Sequence, residues 1–378
     1  MTEATDRPRI LILFGGRSAE HDVSILSART VVAAMGECAY EAVPVYVDPE
    51  GCWRPASPND PDLQRRKEEP VLSLLPGRRG RMIAVDKAGG SQAFPAVDAI
   101  FPLLHGQWGE DGSVQGLASV ARLPLIGCGI IGSANALDKG LAKRLLSEAG
   151  LPTARSVALR RGENVPFETL AEALGVPYFL KPATQGSSVG VGKITSPDEF
   201  ETARTLGFHV DHCLIAEEFI DGREIECAIL EDADGHLFTS RPGEIATGAQ
   251  HGFYTYEAKY VDAAGADLLV PAPLNTQLEK RVRSLAAEAF RAVGCDTMAR
   301  VDVFLTGDDR LIVNELNTVP GFTDISMYPK AMAASGLSLP QLIDRLIGSA
   351  MVRFDGFDTA DRDLAPNANP AITAKRET

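Results

Sequence analysis

Residues 299–327 read ARVDVFLTGDDRLIVNELNTVPGFTDISM, and the alternation inside that stretch decides how the rest of the chain is read. Val301, Val303 and Leu305 alternate with Arg300, Asp302 and Phe304; after a Gly-Asp-Asp turn the chain returns through Leu311, Val313 and Glu315. Both runs follow the two-residue strand period, which predicts a hairpin with one acidic face. Asp302, Glu315 and Asn317 then lie side by side at the ends of paired strands. They offer the hard oxygen ligands that Mg²⁺ prefers when it also grips a nucleotide's phosphates. A merely solvated face is disfavoured, because Arg300 and Asp302 sit in apolar surroundings where charge is expensive unless paired or metal-bound. After Asn317, Thr-Val-Pro-Gly forms a rigid turn in which Gly321 lets the backbone approach a ligand and aim an N–H at it. A metal-held phosphate beside a backbone donor suits acyl-phosphate chemistry.

Composition narrows the partners. The 378 residues allow two or three domains, and a net charge of -14 without any basic stripe argues against nucleic acid or an anionic membrane as partner. Small-molecule ligands are expected. Cys38, Cys52, Cys128, Cys213, Cys227 and Cys295 show no Cys-x-x-Cys pair or metal-ligand spacing, the pattern of reduced thiols in a cytoplasmic protein. The N-terminal apolar run Ile10–Phe14 is too short for a signal peptide or a membrane span.

Towards the N-terminus, Arg9 to Phe14 reads as a buried strand, Gly15-Gly16 as a loop, and Val23 to Met35 as a helix. This unit opens a doubly wound parallel sheet whose ligands collect at the carboxyl edge of the strands. Without a Gly-x-Gly-x-x-Gly fingerprint, dinucleotide binding and a dehydrogenase reading have little support. Glu20 in that loop either stabilises the first helical turn or holds a substrate ammonium. Glu41 to Val47 is a second strand, and Pro55 to Gly90 is expected as loops with one short helical or strand piece. Asp98 to Leu104 is a third strand, ending in HGQWGEDG, which places His105, Glu110 and Asp111 at the same edge as Glu20. A helix from Ser133 carries Asp138, Lys139, Lys143 and Arg144. Lys143 and Arg144 are expected on its solvated face.

Further along, YFLKPATQGSSVGVGKI spans residues 178–194 as strand, Gly-Ser loop and returning strand. Gly186, Gly190 and Gly192 let backbone N–H groups approach phosphate oxygens, the adjacent Ser187 and Ser188 add donors, and Lys181 adds charge. In LIAEEFIDGREIECAIL, Glu217 to Ile220 and Glu224 offer a nucleoside cleft. The glycine- and aromatic-rich stretch from Thr247 to Asp262, with Lys259 and Tyr260 near its end, has the composition of a lid. Asn275 to Val293 is an amphipathic supporting helix, and the chain beyond Met351 lacks apolar periodicity.

Taken together, LILFGGRSAEHDVS, LLHGQWGEDG, ALDKGLAK, LKPATQGSSVGV, FYTYEAKY, RVDVF and NELNTVPGFTDISMYPK resemble, in order and spacing, the D-alanine-D-alanine ligases of the ATP-grasp superfamily. The resemblance implies an α/β and α+β fold, with an N-terminal open parallel-sheet domain followed by a two-part ATP-grasp fold. It places a substrate-binding domain at residues 1–125, a central ATP-grasp domain at 126–220 and a C-terminal ATP-grasp domain with lid and metal site at 221–350; the composition of residues 351–378 predicts a disordered tail.

By the same resemblance, Glu20 anchors the first D-alanine's amino group beside His105, and Ser187 and Tyr260 join Glu20 in a triad that latches the lid. Lys139, Lys181, Ser188 and Lys259 match phosphate contacts, while Glu217, Ile220 and Glu224 match nucleoside contacts. Asp302, Glu315 and Asn317 match ligands for two Mg²⁺ ions, or Mn²⁺ in their place. Arg300 and the Gly321 N–H match oxyanion donors, and Ser326 and Met327 match the site for the second D-alanine's carboxylate. The implied activity is ATP-dependent formation of D-alanyl-D-alanine through an acyl phosphate, with ADP and phosphate released, by a cytoplasmic homodimer serving peptidoglycan synthesis. Ligation of D-alanine to D-serine or D-lactate is the alternative. A nucleotide-binding regulator that had lost its chemistry would be expected to lack a metal ligand or Arg300, and all are present.

Overall fold

The computed structural model describes residues 7–61, 63, 69–187, 189–247 and 266–364. The apolar run near the N-terminus becomes β1 (Arg9–Gly15), flanked in parallel by β2 (Glu41–Val47) and β7 (Ala99–Pro102), with β3 (Trp53–Pro55) antiparallel on the β2 edge. A strand covered on both faces needs such an uninterrupted run. Ile10, Ile12 and Phe14 face α1 (His21–Met35), while Leu11 and Leu13 face α2 (Ser113–Ala121).

Residues 55–90 hold more structure than the sequence suggests. Two strands within them, β4 (Val71–Leu74) and β5 (Met82–Val85), join β6 (Ser91–Phe94) in a separate antiparallel sheet. Leu72, Leu74, Met82 and Ala84 alternate inward against Val45 and Leu123. Four-residue strands are too short for that period to stand out from the surrounding Pro, Gly and Arg. Gly80 between them is obligatory: its φ is +76°, and a Cβ there would lie 1.7 Å from the Val97 carbonyl oxygen.

The single helix expected from Ser133 is two helices, α3 (Ile130–Leu137) and α4 (Lys139–Glu148). Asp138 makes the break, with extended backbone and a carboxylate that accepts the Leu141 N–H at 2.9 Å. Beyond them β8 (Ser156–Arg160), α5 (Phe167–Leu174), β9 (Tyr178–Pro182), β10 (Gly192–Ile194), α6 (Pro197–Val210) and β11 (Cys213–Glu218) build a second, antiparallel unit in the order β10-β9-β11-β8.

The third unit contains the 299–317 hairpin. Its strands are β12 (Gly222–Glu231), β13 (Leu237–Thr239), β14 (Gly243–Thr247), β15 (Ala266–Leu269), β16 (Met298–Thr306) and β17 (Leu311–Asn317), in the order β15-β14-β12-β16-β17 with β13 on β12. Val301, Val303, Leu305 and Val313 pack on Val282, Ala286 and Phe290 of α7 (Thr276–Val293), whose start is capped by Asn275. The opposite face carries Arg300 and Asp302, and a bulge between the Val303–Val313 and Asp302–Glu315 pairs turns Glu315 to that face too. Two helices close the chain, α8 (Met327–Ala334) and α9 (Leu339–Leu364).

Leu342, Ile343, Leu346 and Ile347 of α9 share a core with Ile10, Ile12 and Val31, so the last helix docks on the first sheet's unit. The disorder expected after Met351 does not begin there, because α9 continues to Leu364. Arg353, just past the buried Ala350, reaches Glu231 of β12 at 3.3 Å, an ion pair that ties α9 to the third unit as well. Residues 365–378 lie outside the described residues. Among the described residues no helix is long and apolar enough to cross a membrane.

Candidate active site

Four segments converge where the three units meet. The first is the turn after β1. Buried Ser24 accepts the Gly15 N–H at 2.8 Å and donates to the Leu103 carbonyl at 2.5 Å, tying the start of α1 to two strand ends. This places Glu20 at the edge, and its carboxylate accepts a hydrogen bond from the Ser187 hydroxyl. Ser187 adopts φ +49°, a left-handed conformation uncommon outside glycine and typical of residues held for function. A Cβ on Gly186 would lie 3.2 Å from the Glu20 carboxylate, so the glycine permits the approach.

The second segment is the loop after β7. His105 is 4% exposed, and its Nδ1 lies 2.8 Å from the Val319 carbonyl oxygen. A carbonyl only accepts, so Nδ1 carries the proton. Burial lowers the pKa of His105 against the pull of Glu20, which favours the neutral ring and leaves Nε2 as an acceptor with no partner among the described residues. Glu110 accepts the Gly106 N–H at 2.7 Å and the Val319 N–H at 2.8 Å. Burial, reinforced by the charge of Glu20, raises its pKa to about 7 in spite of those two bonds and Arg300.

The third segment brings cations. Lys139 at the start of α4 donates to the Gln185 carbonyl at 2.6 Å and lies 3.9 Å from the Glu315 carboxylate. On β9 and β11, Lys181 and Glu217 pair at 2.6 Å, and Lys143 stands 3.2 Å from the other Glu217 oxygen. The expectation of a solvated Lys143 is therefore corrected: it is 5% exposed, because its face of α4 packs toward β11. Burial lowers the ammonium pKa values of Lys139 and Lys143. Burial pulls Lys181 down as well, but Glu217 and Glu315 outweigh it and hold Lys181 above its ordinary value. Burial pushes Glu217 up, and Lys181 with Lys143 more than reverses it. Three ammoniums against two carboxylates leave an excess positive charge, suited to phosphate.

Sequence reading made Glu217 a nucleoside contact, yet its carboxylate is turned into the lysines. The rest of that cleft stays open to a base: Phe219 is 37% exposed, beneath the Lys193 ammonium at 4.7 Å and 6.0 Å from Phe179. Ile220, half-buried, stands in the turn between β11 and β12, and half-buried Glu224 lies in the first residues of β12.

The fourth segment is the hairpin. Asp302 pairs with Glu315 and Arg300 with Asn317 across the strands, with a bulge between Asp302 and Val303. The Arg300 guanidinium grips Asp302 at 2.8 and 2.7 Å and Glu226 at 3.1 Å, which fixes its plane. Asn317 Oδ1 is buried without a partner among the described residues. An orphaned buried acceptor costs about 1–3 kcal/mol, so it calls for a donor or a cation. Among the described residues no three His, Cys, Asp or Glu side chains converge as a metal cluster. The oxygen donors here are two carboxylates and an amide, a set that fits Mg²⁺ once phosphate oxygens complete the shell.

Beyond Asn317, a Cβ on Gly321 would lie 2.7 Å from the Ser326 hydroxyl, which itself hydrogen-bonds Thr323 at 2.7 Å. Ser326 and Met327 begin α8, where backbone N–H groups attract a carboxylate. The Met327 side chain is buried beside Gly243, so only its backbone can serve there. Glu20, Lys139, Ser187, Arg300, Glu315 and Asn317 line one cavity of about 60 Å³. Ser188, Lys259 and Tyr260 lie outside the described residues.

Sequence reasoning assigned no role to Glu110, Glu226 and Lys143. Glu226 shares a strand face with Glu224, two residues earlier in β12, which is the signal the sequence carries for it. No local signal turns Lys143 inward.

Family models match both halves of the chain, one described as D-ala D-ala ligase N-terminus over residues 9–128 and one as D-ala D-ala ligase C-terminus over residues 145–348. The chain is 53% identical over 350 residues to D-alanine–D-alanine ligase A of Brucella melitensis, covering 93% of this chain and 99% of that protein. Among solved structures, it is similar to the D-alanine-D-alanine ligase of Coxiella burnetii, with TM-score 0.83, 32% identity, and coverage of 96% of this chain and 99% of the other. VanG D-Ala:D-Ser ligase of Enterococcus faecalis is also similar, with TM-score 0.80, 32% identity, and coverage of 91% and 99%.

Proposed function

Because this chain belongs to the D-alanine–D-alanine ligase family, we propose that the junction of its three units activates one D-alanine as an acyl phosphate and joins it to a second. The enzyme is an ATP-dependent ligase that forms D-alanyl-D-alanine, a peptidoglycan precursor. What supports this siting is the convergence of Glu20, Lys139 and the hairpin's Arg300, Glu315 and Asn317 on one cavity.

A carboxylate is a poor electrophile, so phosphorylation must precede amide formation. Glu20 holds the first D-alanine's ammonium, with Ser187 orienting the carboxylate and His105 alongside. Lys139 and Lys181 hold the nucleotide's phosphates against the approaching substrate carboxylate, with Ser188 and Lys259 as further phosphate contacts. Phe219, Ile220 and Glu224 receive the base and ribose. Asp302, Glu315 and Asn317 are suited to hold Mg²⁺, two ions in our reading, which would supply Lewis-acid charge at the phosphates. The second D-alanine's carboxylate docks at the start of α8, on Ser326 and the Met327 N–H. Its neutral amine then attacks the acyl carbon, Arg300 and the Gly321 N–H stabilise the oxyanion, and phosphate leaves. Tyr260 completes the latch with Ser187 and Glu20.

We further read the enzyme as cytoplasmic and homodimeric. Val120 and Ile131, 60% and 70% exposed on α2 and α3, support a second copy as their cover, and sedimentation equilibrium reads the mass directly. The substrate assignment is tested by coupled ADP release with D-alanine and a panel of second substrates. D-Alanine alone should sustain turnover, and D-serine or D-lactate should add little. Faster release with D-serine or D-lactate, with mixed product, would replace the assignment by the alternative.

A further inference from the structure

Glu110 lines the same cavity as the groups assigned above, but both of its carboxylate oxygens are engaged by backbone N–H groups, one of them in another segment. Its two carboxylate oxygens accept from Gly106 in its own loop and from Val319, 209 residues away in sequence. The Val319 carbonyl accepts from His105 in the same loop, so both peptide groups of Val319 are held by residues 105–110. Val319 lies midway between Asn317 and Gly321. The next backbone anchor is the Phe322 N–H on the Ser27 hydroxyl at 3.1 Å. The loop after β7 and the start of α1 therefore set the path of residues 317–322.

We propose that Glu110 is a positioning residue for the ligation, fixing the 317–321 segment so that Asn317 and the Gly321 N–H are presented together to the phosphoryl group and the developing oxyanion. This rests on the roles proposed above for Asn317 and Gly321. A carboxylate suits the task because both of its oxygens accept. An amide of the same shape has one acceptor and one donor, and in either orientation it sets an NH₂ against a backbone N–H. Glu110→Gln therefore releases one anchor and keeps the other, with little change in volume. Misplacing a catalytic group by about 1 Å lowers rate by up to roughly a hundredfold.

The test is steady-state kinetics and ligand binding on full-length Glu110→Gln, beside wild type and Glu110→Asp. Glu110→Gln should lose roughly 10- to 100-fold in kcat. Its affinity for ADP measured without Mg²⁺ and its KM for the first D-alanine should stay within about threefold of wild type, since neither draws on Asn317 or the Gly321 N–H. A phosphinate dipeptide analogue, which needs that path, should bind more weakly in parallel with kcat/KM. Glu110→Asp keeps both acceptors on a shorter arm and should fall between the two. A folded Glu110→Gln with wild-type kcat and analogue affinity would overturn the proposal, as would a loss confined to melting temperature or to ADP binding. Should Glu110→Gln not fold, wild-type kcat in Glu110→Asp would overturn it equally. These failures differ from failure of the ligase reading, in which wild type itself would form no dipeptide.

Discussion

Asn317→Ala and Glu315→Gln each lower kcat at least roughly a hundredfold at saturating Mg²⁺, the loss typical of removing one preorganised electrostatic partner. The two variants differ in stability, and that difference makes the prediction specific. Asn317 Oδ1 is a buried acceptor without a partner among the described residues, so deleting it removes an unsatisfied group, and the unfolding midpoint should hold or rise. Glu315 supports the ammoniums of Lys139 and Lys181, so its neutralisation should lower both the midpoint and the affinity for nucleotide. Kinetics and thermal unfolding on the same preparations check both. Near-normal turnover in both variants would remove the hairpin's oxygens from the chemistry.

Lys181→Met has the second large effect, and it falls on folding as well as on binding. Lys181 and Lys143 together compensate a Glu217 carboxylate that is 5% exposed. Removing one partner of a buried pair destabilises by about 3–5 kcal/mol, because a charge is left behind. Lys143 remains at 3.2 Å, so the lower end of that range applies. Nucleotide affinity should fall at least tenfold, which corresponds to about 1.4 kcal/mol for the lost phosphate contact. The double variant Lys181→Met with Glu217→Gln should recover much of the stability and none of the affinity. Denaturant unfolding and nucleotide titration separate the two effects. Recovery of affinity in the double variant would show that Lys181 serves only to neutralise Glu217.

The hairpin and Asp302 were legible because Val301, Val303 and Leu305 alternate strictly with Arg300, Asp302 and Phe304; Glu315 and Asn317 share the parity of Leu311 and Val313, and only the bulge, which no local pattern marks, turns them to the face of Asp302. Glu20 and Ser187 were separately legible as loop residues, and their contact followed only from resemblance, since 167 positions separate them. The inward turn of Lys143 was hidden because helical spacing tells which residues share a face and not what that face meets. Glu110 was visible in its glycine-spaced loop, but its partner is a backbone N–H, and backbone groups carry no sequence signature. The sheet of β4, β5 and β6 and the continuation of α9 escaped for a related reason. Short strands and a charged last helical stretch are stabilised by tertiary contacts, such as Arg353 with Glu231, more than by local pattern.

The central claim is that this junction makes an acyl phosphate of the first D-alanine. Turnover of D-alanine carrying ¹⁸O in both carboxylate oxygens tests it most directly, because the oxygen that takes the phosphoryl group leaves with it. Mass spectrometry of the products should find one ¹⁸O in each phosphate released and none in ADP. Phosphate free of the label, formed in step with dipeptide, would contradict the account.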